Sequence, residues 1–518
     1  MKLHKALATI SGLTFVSRIL GLVREILIAN IFGAGIFTDA FNVAFRLPNL
    51  LRRLFAEGAF SQAFVPILSE YRAKRGVEET HLLVNQVATL LGLIVLVISI
   101  IGVLAAPWLI HATAGGFAKN PEKFALTAEL TRITFPYIFF MSMVALSAGV
   151  LNTWSRFAIP AFTPVLLNLC FIGMALFAAP HFAQPVMALA WAAFIGGALQ
   201  LALQIPALAK IGMLPRFSLS TADPGVMRIL KLMGPATLGV SVAQISLLIN
   251  TAFASWLPTG SISWLNYADR LMEFPMGILG AALGTILLPS LSKMKAQNDA
   301  AGFSATLDWG LRIALLLTAP CAIGMMVLAV PLAATLFQHG AFKAADTLAT
   351  QSALLTYSIG LCGLILVKIL APAFYSRQDI RTPLKYALIS LTATQLLNVL
   401  FLWVLDLRDF GLLPHAGLAL SISLAATLNA ALLYRGLRQC NAYTPHAGWG
   451  VFTSKLLLAI SVMGVVLYFA KGAQSDWLEH NTLWRILHLA GVMGAGGLAY
   501  FATLFALGFR IADFKRHA

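Results

Sequence analysis

Charged side chains occur in the two long apolar stretches with which the sequence opens. There are eight of them: Arg18, Arg24, Glu25, Asp39, Arg46, Arg52, Arg53 and Glu57. An arginine or aspartate at the bilayer centre costs roughly 2.5–3.5 kcal/mol. Eight at that depth would cost about 20–28 kcal/mol, more than the roughly 5–15 kcal/mol by which a typical fold is stable. These groups must therefore face a water-filled cavity, pair with one another, or lie near the membrane interface.

Helical spacing identifies which charges share a face and could pair. Neighbours that share a face are Arg53 with Glu57, Asp269 with Glu273, Arg270 with Glu273 and, seven residues apart, Arg18 with Glu25. Of these, Arg53 with Glu57 is interpreted as a structural ion pair. Arg24 points about 120° away from Arg18 around the helix. We interpret Arg46, just before Pro48, as snorkelling to the interface or lying at a kink. Lys368 is interpreted as a paired or cavity-lining charge.

The eighth apolar span adds Asp269, Arg270 and Glu273, and the tenth adds Lys368. Over all of these spans positive side chains outnumber acids, since Arg46 and Lys368 remain after every acid has been given a partner. The planar guanidinium fork suits bidentate contact with phosphate. A cationic cavity therefore indicates an anionic, phosphorylated substrate. The alternative is an ion-pair network with a purely structural role.

Other chemistries find little support in the sequence. Enzymes that act on polyprenyl phosphates use clustered acids to hold a divalent metal, and Asp406 with Asp409 lies in a predicted outer loop. The four cysteines have no metal-ligand spacing, and no phosphate-binding glycine loop is present. The net charge of +16 is typical of cytoplasmic anchoring charges in a membrane protein rather than of nucleic-acid binding. We expect neither an enzyme, nor a metal, nor a cofactor, nor a nucleic-acid partner.

The composition indicates that helices in a bilayer hold these charges. Hydrophobic residues make up 59% of the chain and charged residues 11%, whereas soluble domains carry roughly 25% charged residues. Residues 157–209 contain no Asp, Glu, Lys or Arg. Because a crossing helix needs about 20 apolar residues, this window alone holds two crossings. The runs are too long and too uniformly apolar for barrel strands, so we predict an all-α polytopic membrane protein.

Fourteen spans are predicted along the chain. They lie near 8–32, 38–66, 84–110, 132–154, 160–180, 186–208, 233–257, 264–291, 312–337, 352–374, 386–405, 415–434, 452–470 and 485–509. Loops on the side of the N-terminus carry 20 Lys and Arg residues, against 6 on the other side, where Lys123 and Arg485 are counted. This bias predicts that both termini lie in the cytoplasm.

An internal repeat divides most of the chain. Residues 154–159 (WSRFAI) recur at 375–380 (YSRQDI), Pro66 recurs as Pro289, and Pro107 recurs as Pro331, at offsets of 221 to 224. The period contains an even number of spans, so both copies enter the membrane in the same sense. We predict two pseudo-symmetric six-helix lobes, 1–215 and 216–440, with the site between them, followed by two extra helices and a tail in 441–518.

Several short sequence motifs make the chain similar to a known family. These are 17–24 (SRILGLVR), 32–35 (FGAG), 38–41 (TDAF), 47–60 (LPNLLRRLFAEGAF) and 267–275 (YADRLMEFP). Over essentially its full length the chain resembles the MurJ (MviN) family of the multidrug/oligosaccharidyl-lipid/polysaccharide exporter superfamily. Members flip lipid II, the undecaprenyl-pyrophosphate-linked peptidoglycan precursor, across the bacterial inner membrane.

The resemblance implies roles for individual residues. Those that match the family's substrate-binding or transport positions are Arg18, Arg24, Arg52, Arg270 and Asp39. Those at cavity or gate positions are Ser17, Glu25, Asn49, Arg53, Glu57, Ser263, Asp269 and Glu273. At Glu25 many members carry Asp, so the reach of that acid differs here. The resemblance also implies that the last two helices form a groove for the lipid tail.

The expected function is alternating access by two rocking lobes, which moves lipid II from the inner to the outer leaflet. The expected partners are lipid II, membrane lipids and, as candidates, cell-wall synthesis proteins. Two other readings remain at this point. One is an exporter of another lipid-linked oligosaccharide; the other is a drug or toxin exporter of the same architecture, although organic cations require an acid-dominated pocket.

Overall fold

The computed structural model describes residues 3–53, 59–220, 223–405 and 407–510, and within these ranges it contains helices and no β-strand. This confirms the predicted all-α class. The helices are α1 (Leu3–Phe32), α2 (Ile36–Arg52), α3 (Ala59–Lys74), α4 (Gly76–Leu104), α5 (Ala106–Thr113), α6 (Pro121–Thr134), α7 (Tyr137–Thr153), α8 (Ala158–Gly173), α9 (Met187–Lys210), α10 (Pro224–Ser255), α11 (Ser261–Ala296), α12 (Ala300–Val327), α13 (Ala329–Phe337), α14 (Ala344–Tyr375), α15 (Arg381–Val399), α16 (His415–Gln439), α17 (Trp449–Ala470), α18 (Gln474–Glu479) and α19 (Thr482–Ala506).

Ten helical segments within the described ranges are long and apolar enough to cross a membrane. They coincide with the predicted third to sixth and ninth to fourteenth spans. At the first, second, seventh and eighth predicted spans the structure has α1, α2 with α3, α10 and α11. Helices α1 and α2 carry charged side chains within their apolar sequences, as the sequence indicates. A multi-pass membrane protein follows, and the count of fourteen crossings stays a prediction.

Polar side chains at the ends of several long helices explain where those helices begin. Asp223 accepts a hydrogen bond from the Gly225 N–H at the start of α10, at 2.7 Å. Asn481 accepts one from the Trp484 N–H at the start of α19, at 2.9 Å. Such caps satisfy backbone donors that have no partner inside the helix. Asp223 and Asn481 lie at junctions between apolar stretches of the sequence.

The order of elements repeats along the chain. Helix α4 ends at Leu104 and is followed by the short helix α5; α12 ends at Val327 and is followed by the short helix α13. Each break replaces the single long span predicted there. Pro107 and Pro331 lie in the first turn of the short helices, where proline is tolerated because the first N–H groups have no partner within the helix and no helical hydrogen bond is lost. The breaks lie at equivalent places in the two copies of the repeat.

The chain divides into two compact units, Met1–Ser263 and Trp264–Ala518. In the first unit, α3, α4, α7 and α10 share a hydrophobic core that includes Phe64, Leu68, Val84, Ile138 and Ile229. In the second unit, a cluster joins α17 and α19 to α12 and α13. The predicted lobe boundaries after residues 215 and 440 stay a prediction.

Within the second unit, one face of α12 holds the loop that leads into α17. The buried Asp308 carboxylate accepts hydrogen bonds from the Tyr443 hydroxyl at 2.6 Å and from Trp449 Nε1 at 2.7 Å. Ser304, one turn earlier, donates to the Thr444 carbonyl at 2.8 Å. Burial, followed by the hydrogen bond to Asp308, raises the pKa of Tyr443. The hydroxyl therefore stays a neutral donor, and the last helices are tied to α12.

Helices α14 and α16 pack closely through glycines, and this contact can be tested. A Cβ added at Gly360 would lie 2.4 Å from the backbone Cα of Ser423. We expect Gly360→Ala to push the helices apart at a cost of about 1–3 kcal/mol. The matched control is Gly324→Ala in α12, where nothing lies within 4 Å of the added Cβ. In detergent, the melting temperature should fall for the first variant and hold or rise for the second; equal values would contradict the packing.

Candidate functional site

Arg24 lies in a cradle formed by α1 and α8. Its Nη2 donates to Glu25 Oε1 at 2.6 Å, and its Nη1 donates to Asn168 Oδ1 at 3.1 Å. The guanidinium carbon lies 5.1 Å from the centre of the Phe171 ring, a distance that permits a cation–π contact. Two hydrogen bonds in different directions and one ring face fix the plane of this guanidinium. Among the described residues, nothing accepts from its other N–H groups.

Ser17 and Arg18 lie two turns before this cradle on α1. The Asn168 side chain donates to the Ser17 carbonyl at 3.0 Å, so Asn168 contacts α1 at both Ser17 and Arg24. The Arg18 side chain is exposed. Arg18 and Glu25 lie seven residues apart on α1, and Glu25 forms its salt bridge with Arg24. Glu25 is buried and needs an adjacent counter-charge, which Arg24 supplies.

Asp39 is almost completely removed from solvent, with 1% of its surface exposed. Lys123 of α6 forms a 2.8 Å salt bridge with it. The backbone N–H groups of Gly260 and Ser263 donate to it at 2.8 and 2.9 Å, and the Ser263 hydroxyl donates at 2.7 Å. The carboxylate thus caps the first turn of α11 from outside that helix, where the helix dipole favours negative charge.

The placement of Lys123 corrects a sequence-based interpretation. The sequence places Lys123 in an outer loop and counts it as a solvated charge. In the structure it lies in α6, 4% exposed, with Asn120 capping that helix. Its Nζ also lies 4.1 Å from the centre of the Phe117 ring. Lys123 is therefore the buried partner of Asp39.

The end of α2 holds a further group of predicted site residues. Asn49 Oδ1 accepts from Arg52 Nε at 2.9 Å. Arg53 is half-buried. Glu57 lies outside the described residues, so its pairing with Arg53 stays a prediction. Arg46 donates to the Thr251 hydroxyl of α10 at 2.5 Å, a contact between helices. Its interpretation as a snorkelling or kink residue stays a prediction.

The predicted residues of the second unit lie on α11. Arg270 Nη1 and Glu273 Oε2 form the expected ion pair at 2.8 Å, and both side chains are about one third exposed (34% and 39%). Asp269, the residue before Arg270, is half-buried. Lys368 of α14 is exposed, and its aliphatic stem lies next to Gly280.

The structure therefore brings the predicted residues together in four groups, and it adds partners that the sequence did not reveal. Asn168, Phe171 and Lys123 contact Arg24 or Asp39 from helices that are 84 or more residues away in sequence. Within the described ranges, no group of three or more His, Cys, Asp or Glu side chains could hold a metal ion. The chemistry available at these groups is ionic binding and hydrogen bonding.

The chain is similar in sequence and in structure to several known proteins. The family model "Lipid II flippase MurJ" matches residues 28–488. A lipid II flippase MurJ of Burkholderia cenocepacia is 49% identical over 100% of both chains, and a probable one of Vibrio cholerae is 43% identical over 99% of this chain and 98% of its own. A solved lipid II flippase MurJ in an inward closed conformation is 27% identical, with a TM-score of 0.78, covering 95% of this chain and 97% of that one. A multidrug MATE family transporter, 13% identical with a TM-score of 0.70 over 82% of this chain and 94% of its own, shares the fold.

The Asp39–Lys123 pair supplies a test of the buried charges. We expect Lys123→Met to destabilise the protein by about 3–5 kcal/mol, because it leaves a buried carboxylate without its cation. Adding Asp39→Asn should restore much of that loss, since both charges are then absent. Thermal unfolding of the purified protein measures both variants.

The control is Lys119→Met, because Lys119 is an exposed lysine near the start of α6. A Lys123→Met protein that melts together with the Lys119→Met protein would contradict the pairing.

Proposed function

The chain belongs to the lipid II flippase MurJ family, and we propose that Arg18, Arg24, Arg52 and Arg270 take the diphosphate of lipid II during its transfer from the inner to the outer leaflet. The protein is a transporter and not an enzyme, and the fold that it shares with solved transporters fits alternating access. The sugar-peptide head would enter a wet cavity while the polyprenyl tail stays in lipid. The diphosphate is the part of this substrate that arginines can recognise.

One observation carries this proposal: neighbouring side chains fix the orientation of the Arg24 guanidinium, and some of its N–H groups have no acceptor among the described residues. A guanidinium carries five N–H groups. Asn168 and Glu25 accept from two of them, and no described residue accepts from the others. A cation held in place with N–H groups remaining is suited to bind phosphate oxygens without first losing side-chain freedom. Arg18 also remains exposed.

We assign Asp39, Ser263 and Lys123 to a gate rather than to substrate contact. All of the donors around Asp39 come from the protein, so a phosphate would gain nothing there. The cluster holds the first turn of α11, and Arg270 and Glu273 lie farther along that helix. Releasing the cap would free the start of α11 to move. For the gate we also propose Ser17, Glu25, Asn49, Arg53, Glu57, Asp269 and Glu273, as the family resemblance implies.

Orientation and driving force complete the proposal. The bias of Lys and Arg supports cytoplasmic termini. With that orientation, an inside-negative potential favours outward movement of negative charge by about 2.3 kcal/mol per charge per 100 mV. Two net charges would gain about 5 kcal/mol at that potential. Dissipating the potential should then slow precursor export, and an unchanged rate would exclude this drive.

Membrane lipids and cell-wall synthesis proteins are the further partners that we propose. The exposed apolar side chains of α17 and α19, such as Phe469 and Leu498, support a lipid-facing groove for the substrate tail. A drug or toxin exporter is supported only by the shared fold.

Replacing the four arginines tests the site. We expect Ala at Arg18, Arg24, Arg52 or Arg270 to reduce export of the lipid-linked precursor by about 10–100-fold, because each loses charge-assisted hydrogen bonds. Lys at Arg24 should restore only part of it, since one ammonium cannot reproduce a fork with two fixed partners. Precursor on the outer leaflet is measured with an added hydrolase that cleaves exposed head groups.

The control is Arg435→Ala, which removes an exposed arginine near the end of α16. Export at the unmodified rate in all four Ala variants, with the protein present at normal levels, would refute the site.

A further inference from the structure

A buried amide of α8 contacts two of the predicted site residues. Asn168 is 7% exposed and lies in a helical segment that is long and apolar enough to cross a membrane. Its Oδ1 accepts from Arg24 Nη1 at 3.1 Å, and its Nδ2 donates to the Ser17 carbonyl at 3.0 Å. The Ser17 hydroxyl lies 3.5 Å from the same nitrogen. Both ends of this amide are therefore engaged by α1.

The position requires a side chain that is acceptor and donor at once. An amide without hydrogen-bond partners is unfavourable in an apolar surrounding, so Asn168 is tolerated because α1 satisfies it. A leucine would pack in the same apolar surrounding without needing hydrogen-bond partners. Aspartate would keep the acceptor but would lose the donor to Ser17, and it would place a second negative charge beside Arg24.

The two anchors of Arg24 differ in what they can do. Glu25 is adjacent to Arg24 in sequence and holds Nη2, which leaves the guanidinium free to turn about that contact. Asn168 holds Nη1 from another helix and stops this rotation. Phe171, three residues after Asn168, lies against the guanidinium. The side of the guanidinium that remains open is thus set by α8.

We propose that Asn168 is a positioning residue that orients the Arg24 guanidinium toward the diphosphate of the substrate. Asn168 itself does not touch the substrate. It acts by fixing which N–H groups of Arg24 remain available, and by holding Ser17 and Arg24 of α1 in one register against α8. This inference rests on the proposed function, since it gives Arg24 a role in diphosphate binding.

A thermodynamic cycle on the full-length protein in nanodiscs tests the inference. The probe is undecaprenyl diphosphate, and its dissociation constant is measured for the unmodified protein, Asn168→Leu, Arg24→Ala and the double variant. We expect Asn168→Leu to weaken binding about tenfold when Arg24 is present, within the range of couplings between contacting residues. In the Arg24→Ala background the same change should have no further effect.

The control is Gln200→Leu, which removes a buried amide of α9 that donates to the Thr163 carbonyl of α8 at 2.6 Å and is not a hydrogen-bond partner of Arg24. It should leave probe binding unchanged. Asn168→Asp, which nearly preserves shape, should weaken binding at least as much as Asn168→Leu, and it serves in place of that variant if the leucine prevents folding.

Three outcomes would overturn the inference. They are unchanged binding in Asn168→Leu and Asn168→Asp, an equal loss in both Arg24 backgrounds, and an equal loss in the Gln200→Leu control. A different outcome concerns the proposed function itself: if Arg24→Ala binds the probe as tightly as the unmodified protein, Arg24 is not a diphosphate ligand. The two failures are therefore distinguishable.

Discussion

Charge that has been removed from water must be neutralised nearby, and this constraint organises the first unit. The Asp39 carboxylate has lost all but 1% of its exposure. An isolated buried carboxylate would cost several kcal/mol. Lys123, two backbone N–H groups and the Ser263 hydroxyl offset that cost. Because these donors lie on α6 and at the start of α11, a single side chain of α2 links three helices.

At Arg24 the charge is neutralised, but the hydrogen-bonding capacity of the guanidinium is only partly used. Its charge is balanced by Glu25 and its plane is fixed by Asn168, yet several of its N–H groups have no acceptor among the described residues. Complete pairing, as at Asp39, stabilises a structure and leaves nothing for a ligand. Partial pairing leaves binding capacity in a group whose orientation has already been set. This contrast separates the proposed gate from the proposed binding residues.

The fold could be predicted because its signals are local, whereas the partners of the charges could not. Long apolar runs identify helices, and the pair Arg270–Glu273 follows from a spacing of three on one helix. Asn168 and Arg24 are 144 residues apart, and no periodicity connects them. Lys123 and Arg485 look like loop charges at the edges of apolar windows. In the structure both are buried, and Arg485 donates to the carbonyls of Ala334 and Leu478.

The central claim is that this chain recognises a diphosphate through arginines, and comparing three lipids tests it most directly. The affinity of the purified protein should be measured for undecaprenyl diphosphate, undecaprenyl monophosphate and undecaprenol, which share one tail and differ in charge. We predict that the diphosphate binds most tightly and the alcohol most weakly, and that added salt reduces this difference. Equal affinity for all three lipids would show that the tail alone is recognised and would contradict the account.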